Sequence, residues 1–136
     1  MPKEVFGREF KFLERGDVLS YEEITRLTRV FARLGVEKIR LTGGEPLLRR
    51  DIEVLIGELA AIDGIRDLTL TTNGSLLKAE TAHKLKAVGL DRITVSFDSI
   101  DDSVFKEMND VDFGVDVVLR AIEAASQAGP VSREPR

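Results

Sequence analysis

The sequence predicts an α/β fold in the form of a partial parallel (β/α) barrel. Three observations carry this. Helix-period and strand-period segments alternate, which implies parallel strands joined by helical crossovers. The three strand segments align with one another: Lys38-Ile39-Arg40-Leu41-Thr42, Asp67-Leu68-Thr69-Leu70-Thr71 and Arg92-Ile93-Thr94-Val95-Ser96. Side chains alternate faces along a strand. One face therefore carries Ile39, Leu41, Leu68, Leu70, Ile93 and Val95. The other carries Arg40, Thr42, Thr69, Thr71, Thr94 and Ser96, with Asn73 and Asp98 just beyond. A doubly wound sheet buries both faces and reads as apolar throughout. A polar face in a parallel sheet fits a barrel, with apolar side chains against outer helices and polar ones lining a lumen.

The elements follow in order. Met1 to Leu19 has no clear period and reads as loop. Ser20 and Glu23 have the form of a capping box. The helix they open places Ile24, Leu27, Phe31 and Leu34 on one face and stops at Gly35. Lys38–Leu41 is the first strand. A second helix, Asp51 to Ile62, carries Ile52, Leu55, Ile56, Leu59 and Ile62. Asp67–Thr71 is the second strand, closed by Asn73-Gly74. A third helix, Lys78 to Val88, stops at Gly89. The third strand runs from Arg92 to Phe97. A short helix spans Ser103 to Met108. The last helix, Asp116 to Ala128, carries Val118, Ala121, Ile122 and Ala125. Gly129 and Pro130 end it, and residues 130–136 read as a frayed, disordered tail.

The first strand runs into Thr42-Gly43-Gly44-Glu45-Pro46. Paired glycines open torsions closed to other residues and remove side chains that would block a ligand. Pro46 withholds an N–H, so pairing stops there. The C-terminal tips of parallel strands are where small molecules bind in α/β proteins. Arg40 is the one charge within the strand cores on the polar face. An anionic ligand or an internal pair with Glu45 or Asp98 would satisfy it, and its planar fork suits phosphate. Thr71 and Ser96 stand at matching strand ends as hydroxyl donors and acceptors. Glu45 either accepts from an ammonium group or caps the next helix. Asn73-Gly74 is first a turn, His83 a solvated side chain, and Arg49-Arg50 and Asp101-Asp102 surface charge, with Asp101 a possible helix cap.

Composition narrows the classes. The 136 residues make one domain at most, and 43% hydrophobic content supports a core. A net charge of −4 argues against a general nucleic-acid or membrane-surface binder. No apolar run spans a bilayer and no signal peptide is read, which sets the cytoplasm as the expectation. With zero cysteines and one histidine, the chain offers neither disulfides nor a thiolate or histidine-rich metal site.

Lys-Ile-Arg-Leu-Thr-Gly-Gly-Glu-Pro-Leu-Leu-Arg, then Thr-Thr-Asn-Gly, then Val-Ser-Phe-Asp-Ser, in this order and spacing, resemble the GTP 3′,8-cyclase family of radical S-adenosylmethionine enzymes. Gly-Gly-Glu-Pro marks the wider superfamily; Arg40, Thr-Thr-Asn-Gly and the start Met-Pro are more specific. The resemblance covers residues 1–129 and implies a partial core domain of the radical SAM type, truncated at both ends. It implies a lyase of molybdenum cofactor biosynthesis, converting GTP to a cyclic pyranopterin precursor. There a [4Fe-4S] cluster reduces S-adenosylmethionine to a 5′-deoxyadenosyl radical that abstracts hydrogen from GTP. By this resemblance Gly43, Gly44, Glu45 and Ser96 contact S-adenosylmethionine, and Arg40 and Thr71 contact GTP. No nucleic acid or membrane partner is implied, and a homodimer is. The cluster's Cys-x3-Cys-x2-Cys motif is absent, so no residue here is assigned as a catalytic or metal-binding one. The chain alone is expected to be inactive, or else a non-catalytic nucleotide-binding remnant or pseudogene product.

Overall fold

A parallel three-stranded sheet, in the order β1-β2-β3, forms the centre of the computed structural model, which describes residues 17–129. The expected opening loop lies outside the described residues up to position 16, and the tail at 130–136 lies wholly outside them. The elements in chain order are α1 (Tyr21–Arg33), β1 (Lys38–Leu41), α2 (Ile52–Ala60), β2 (Asp67–Thr72), α3 (Ala79–Ala87), β3 (Arg92–Val95), α4 (Asp102–Asn109) and α5 (Val115–Gln127). A 3-10 turn at Pro46–Leu48 follows β1. Among the described residues no helix is long and apolar enough to cross a membrane.

The register confirms the two faces. Arg40 lies opposite Thr69, and Thr69 opposite Arg92; Leu41 lies opposite Leu70, and Leu70 opposite Ile93. β3 is shifted by two residues from the alignment read by eye, which set Asp67 against Arg92. A shift of two preserves the parity, so every side chain stays on its expected face. β3 stops at Val95 rather than Phe97. Ser96 N still donates to Thr72 O at 2.9 Å, but β2 ends at Thr72 and offers no further partner.

The apolar face packs on helices. Leu68 and Leu70 are fully buried with Leu55, Ile56 and Leu59 of α2, Leu85 of α3 and Ala121 of α5. Ile39, Leu41, Ile93 and Val95 are partly buried against the same cluster. A second cluster sits beyond the end of β3. Phe105 of α4 meets Phe97 and Phe113 with ring centroids 6.0 and 5.9 Å away, and Val115 and Val118 complete it.

Three packing details differ from expectation. The stripe on α1 is only partly turned inward: Ile24 packs on the core, but Leu27, Phe31 and Leu34 are exposed, Leu34 at 77%. The inward face holds Thr25 and Thr28, and Thr25 Oγ1 donates to Glu58 Oε2 of α2 at 2.6 Å. In α5 the buried face is Val115, Val118, Ala121 and Ala124, while Ile122 is exposed. Arg49 is not mere surface charge, while the exposed Arg50 contributes only its backbone carbonyl. The Arg49 guanidinium lies 4.6 Å from the Tyr21 ring centroid and donates to Leu19 O, while Tyr21 Oη donates to Arg50 O at 2.7 Å. Together these fasten the start of α1 to the loop after β1.

Asp101 and Asp102 likewise do more than carry charge. Asp101 Oδ1 accepts from Ser103 N and Val104 N, capping α4. Asp102 Oδ1 accepts from Val115 N at 2.8 Å and so caps α5, while Oδ2 pairs with Lys106 at 2.6 Å. The Ser103 hydroxyl, then the Val104 amide, lowers the Asp101 carboxyl below its ordinary value. The Lys106 ammonium, then the Val115 amide, does the same for Asp102. A group whose folded pKa is depressed contributes stability above its unfolded pKa and loses it as pH falls through the folded one. Acid should therefore loosen the α4–α5 corner as pH drops below about 4. Thermal melts of Asp102→Asn across that range should show a shallower loss than the unmodified chain; identical slopes would remove Asp102 from the acid response.

Candidate ligand-binding face

The polar face is exposed at its margins and covered at its centre. Arg40, Thr94 and Ser96 are exposed, and no described helix covers them, whereas Thr69 of β2 is 3% exposed. Three cations stand at the lower end of this face, Lys38, Arg40 and Arg92. Asp67 Oδ2 pairs with Arg92 at 2.5 Å and more distantly with Lys38 at 3.9 Å. Arg40 has neither an ion pair nor a hydrogen bond among the described residues. Of its two readings, the internal pair therefore fails: Glu45 is engaged elsewhere, and Asp98 is exposed and makes no contact with it.

Thr71 follows Arg40 up the face. Strand spacing and rise place their Cα atoms roughly 8 Å apart, within the span of one nucleotide. Thr71 Oγ1 is buried and has no hydrogen-bond partner. Buried polar atoms are nearly always partnered, and leaving one unpaired costs about 1–3 kcal/mol. A hydrogen-bonding group that reached this oxygen would remove that cost.

At the strand tips, Gly43 adopts φ +154°, and neither Gly43 nor Gly44 would bring a new Cβ within 4 Å of any atom. Gly44 does not even have a positive φ. Among the described residues no packing contact requires glycine at position 44.

Glu45 is a hub. Its Oε1 accepts from Leu47 N at 3.0 Å and from Thr72 Oγ1 at 2.7 Å, and its Oε2 accepts from Asn73 N at 2.8 Å. The carboxylate thus caps the 3-10 turn and clamps the end of β1 to the end of β2. Asn73 Oδ1 accepts from Ser75 N and Ser75 Oγ, closing the expected turn. His83 is exposed, as expected.

Thr72 was not among the residues singled out from the sequence. It lies on the apolar face opposite Val95 and is 2% exposed. A hydroxyl in an otherwise aliphatic row was the available signal, because a buried hydroxyl needs a partner. The sequence brings Arg40, Thr71 and Ser96 to one side of the sheet and sets the two glycines just past the end of β1. It does not bring the Glu45 side chain to that side.

The family model described as the radical SAM superfamily matches residues 5–133. GTP 3′,8-cyclases of Staphylococcus aureus strains bovine RF122 / ET3-1, JH9 and Newman are each 50% identical to the chain over 129 residues. That alignment takes in 95% of this chain but 38% of each relative. The chain therefore spans well under half the length of these relatives.

Proposed function

Because this chain belongs to the radical SAM superfamily, we propose that its polar sheet face binds S-adenosylmethionine and GTP for a GTP 3′,8-cyclase reaction. One observation carries the reading. Arg40, which has no partner among the described residues, and an orphaned Thr71 hydroxyl stand on the same face, on the strands that lead to a glycine turn where an added Cβ at Gly43 or Gly44 would meet no described atom. In this reading Arg40 holds an anionic part of GTP and Thr71 Oγ1 hydrogen-bonds the nucleotide. Gly43 and Gly44 admit the amino acid end of S-adenosylmethionine against bare backbone, and Ser96 contacts the same molecule. Glu45 contributes by fixing the turn, since three donors already occupy its carboxylate. When bound, S-adenosylmethionine supplies the radical chemistry of this superfamily. The setting of this reaction is a cytoplasmic one, and GTP is a small-molecule partner.

The superfamily's [4Fe-4S] cluster needs thiolate ligands. The chain contains no cysteine, and its single histidine is exposed. The residues present do not fit the cluster, and no step is assigned through it. The same fact favours a second reading, in which this polypeptide holds nucleotide without performing the reaction.

Calorimetry on two variants tests the ligand assignment. Arg40→Ala should weaken GTP binding about tenfold or more, since a charge-assisted contact is worth about 1.5–3 kcal/mol, and leave S-adenosylmethionine nearly unaffected. Gly44→Ala should do the reverse without lowering thermal stability. Equal loss of both ligands in either variant would defeat the assignment. Reductive cleavage of S-adenosylmethionine by the 136-residue chain would defeat the second reading.

A further inference from the structure

We propose that Thr72 is a positioning residue that couples the cofactor turn at the end of β1 to the nucleotide-contacting end of β2. The inference rests on the ligand assignment above and adds to it a residue that touches neither ligand. Thr72 Oγ1 carries one hydrogen, and it points at Glu45 Oε1, 2.7 Å away. The same oxygen must then accept, and it does so from Gly74 N at 3.1 Å. Both halves of the hydroxyl are used, so its orientation is fixed. Glu45, held by Thr72, also takes Asn73 N and Leu47 N.

The chain neighbours give this network its consequence. Thr71 precedes Thr72 and faces the opposite, polar side of the sheet. Gly44 precedes Glu45 at the tip. A movement of the glycine turn therefore pulls on Glu45, then on Thr72, and so on the backbone that carries Thr71. The path spans 27 residues of sequence through one side-chain contact. Part-buried and charge-assisted, that contact is of the stronger kind. Two ligands seated at its two ends should each favour the arrangement that the other needs, and such coupling is reciprocal.

Two measurements on the full chain test this, using Thr72→Val, which keeps the shape and removes the hydroxyl, and Thr72→Ser, which restores it. Amide exchange at Leu47, Asn73 and Gly74 should rise about tenfold in the valine variant, while Leu68 and Leu70 keep their protection. Serine should bring the rates back. In the unmodified chain, GTP should raise affinity for S-adenosylmethionine by about fivefold or more. Valine should abolish that factor while leaving each ligand's separate affinity nearly intact. A purely structural threonine would not produce this split. Unchanged exchange at Leu47, or full coupling in the valine variant, would overturn the proposal. If the unmodified chain binds neither ligand, the assignment of the face fails, and exchange at Leu47 alone decides whether the link exists. Thr72→Ala, which removes the hydroxyl along with the methyl, carries the same test if the valine variant does not fold.

Discussion

Replacing Glu45 by alanine is expected to lower stability by about 3 kcal/mol. The change strands three donors at once, the Thr72 hydroxyl and the Leu47 and Asn73 amides. A hydrogen bond to a charged group contributes about 1.5–3 kcal/mol, and the terms of one network do not add. Water reaches part of this site, which sets the total near the value of one or two such bonds. For a domain of this size that is a fall in melting temperature of roughly 10 °C. Glu45→Gln keeps one oxygen acceptor and should lose about half as much. The loss should appear in the apo chain, with no ligand present. A drop in stability below about 1 kcal/mol in the alanine variant would show that water replaces the clamp without cost.

Gly74→Ala should cost a similar amount for a different reason. Gly74 sits at φ +82°, in the left-handed region, where a side chain costs about 1–2 kcal/mol. An added Cβ would also stand 3.0 Å from Ala121 Cβ and 3.2 Å from Val95 Cγ1. Overpacking of this kind adds about 1–3 kcal/mol, for a total of about 3. Ala121→Gly should recover part of the steric share in the double variant and none of the torsional share. Chemical denaturation of the four chains separates the two. Full recovery in the double variant would mean that the turn carries no torsional cost. Gly44→Ala provides the contrast, having neither a positive φ nor a neighbour to strike.

The strands and their faces were readable because both depend on short-range alternation. Lys38, Asp67 and Arg92 all begin strands where the pattern placed them. Even the two-residue shift of β3 left the polar face intact, since parity alone assigns faces. Periodicity was silent on direction. It grouped Leu27, Phe31 and Leu34 correctly on one side of α1, but which side meets the core is decided by contacts such as Thr25–Glu58, far apart in sequence. Glu45 shows the same limit. Its two possible duties, ligand contact or cap, differ only in where Thr72 and Asn73 stand, 27 and 28 residues away. Arg40 and Thr71 needed no such knowledge, because their place on the face follows from the strand period.

The outward part of the α1 stripe bears on how the molecule breathes. Its first turns are fastened by the capping box, by Tyr21 and by Arg49. Its last turns, from Val30 to Leu34, place hydrocarbon in water and leave little of it against α2. Detaching that half exposes little new apolar surface, so its opening free energy lies far below that of the α2–β2–α3 core. Excursions of α1 therefore begin at its C-terminal end and run back toward Thr25. The tip turns remain closed meanwhile, because the arginine and tyrosine contacts insulate the loop after β1 from that motion.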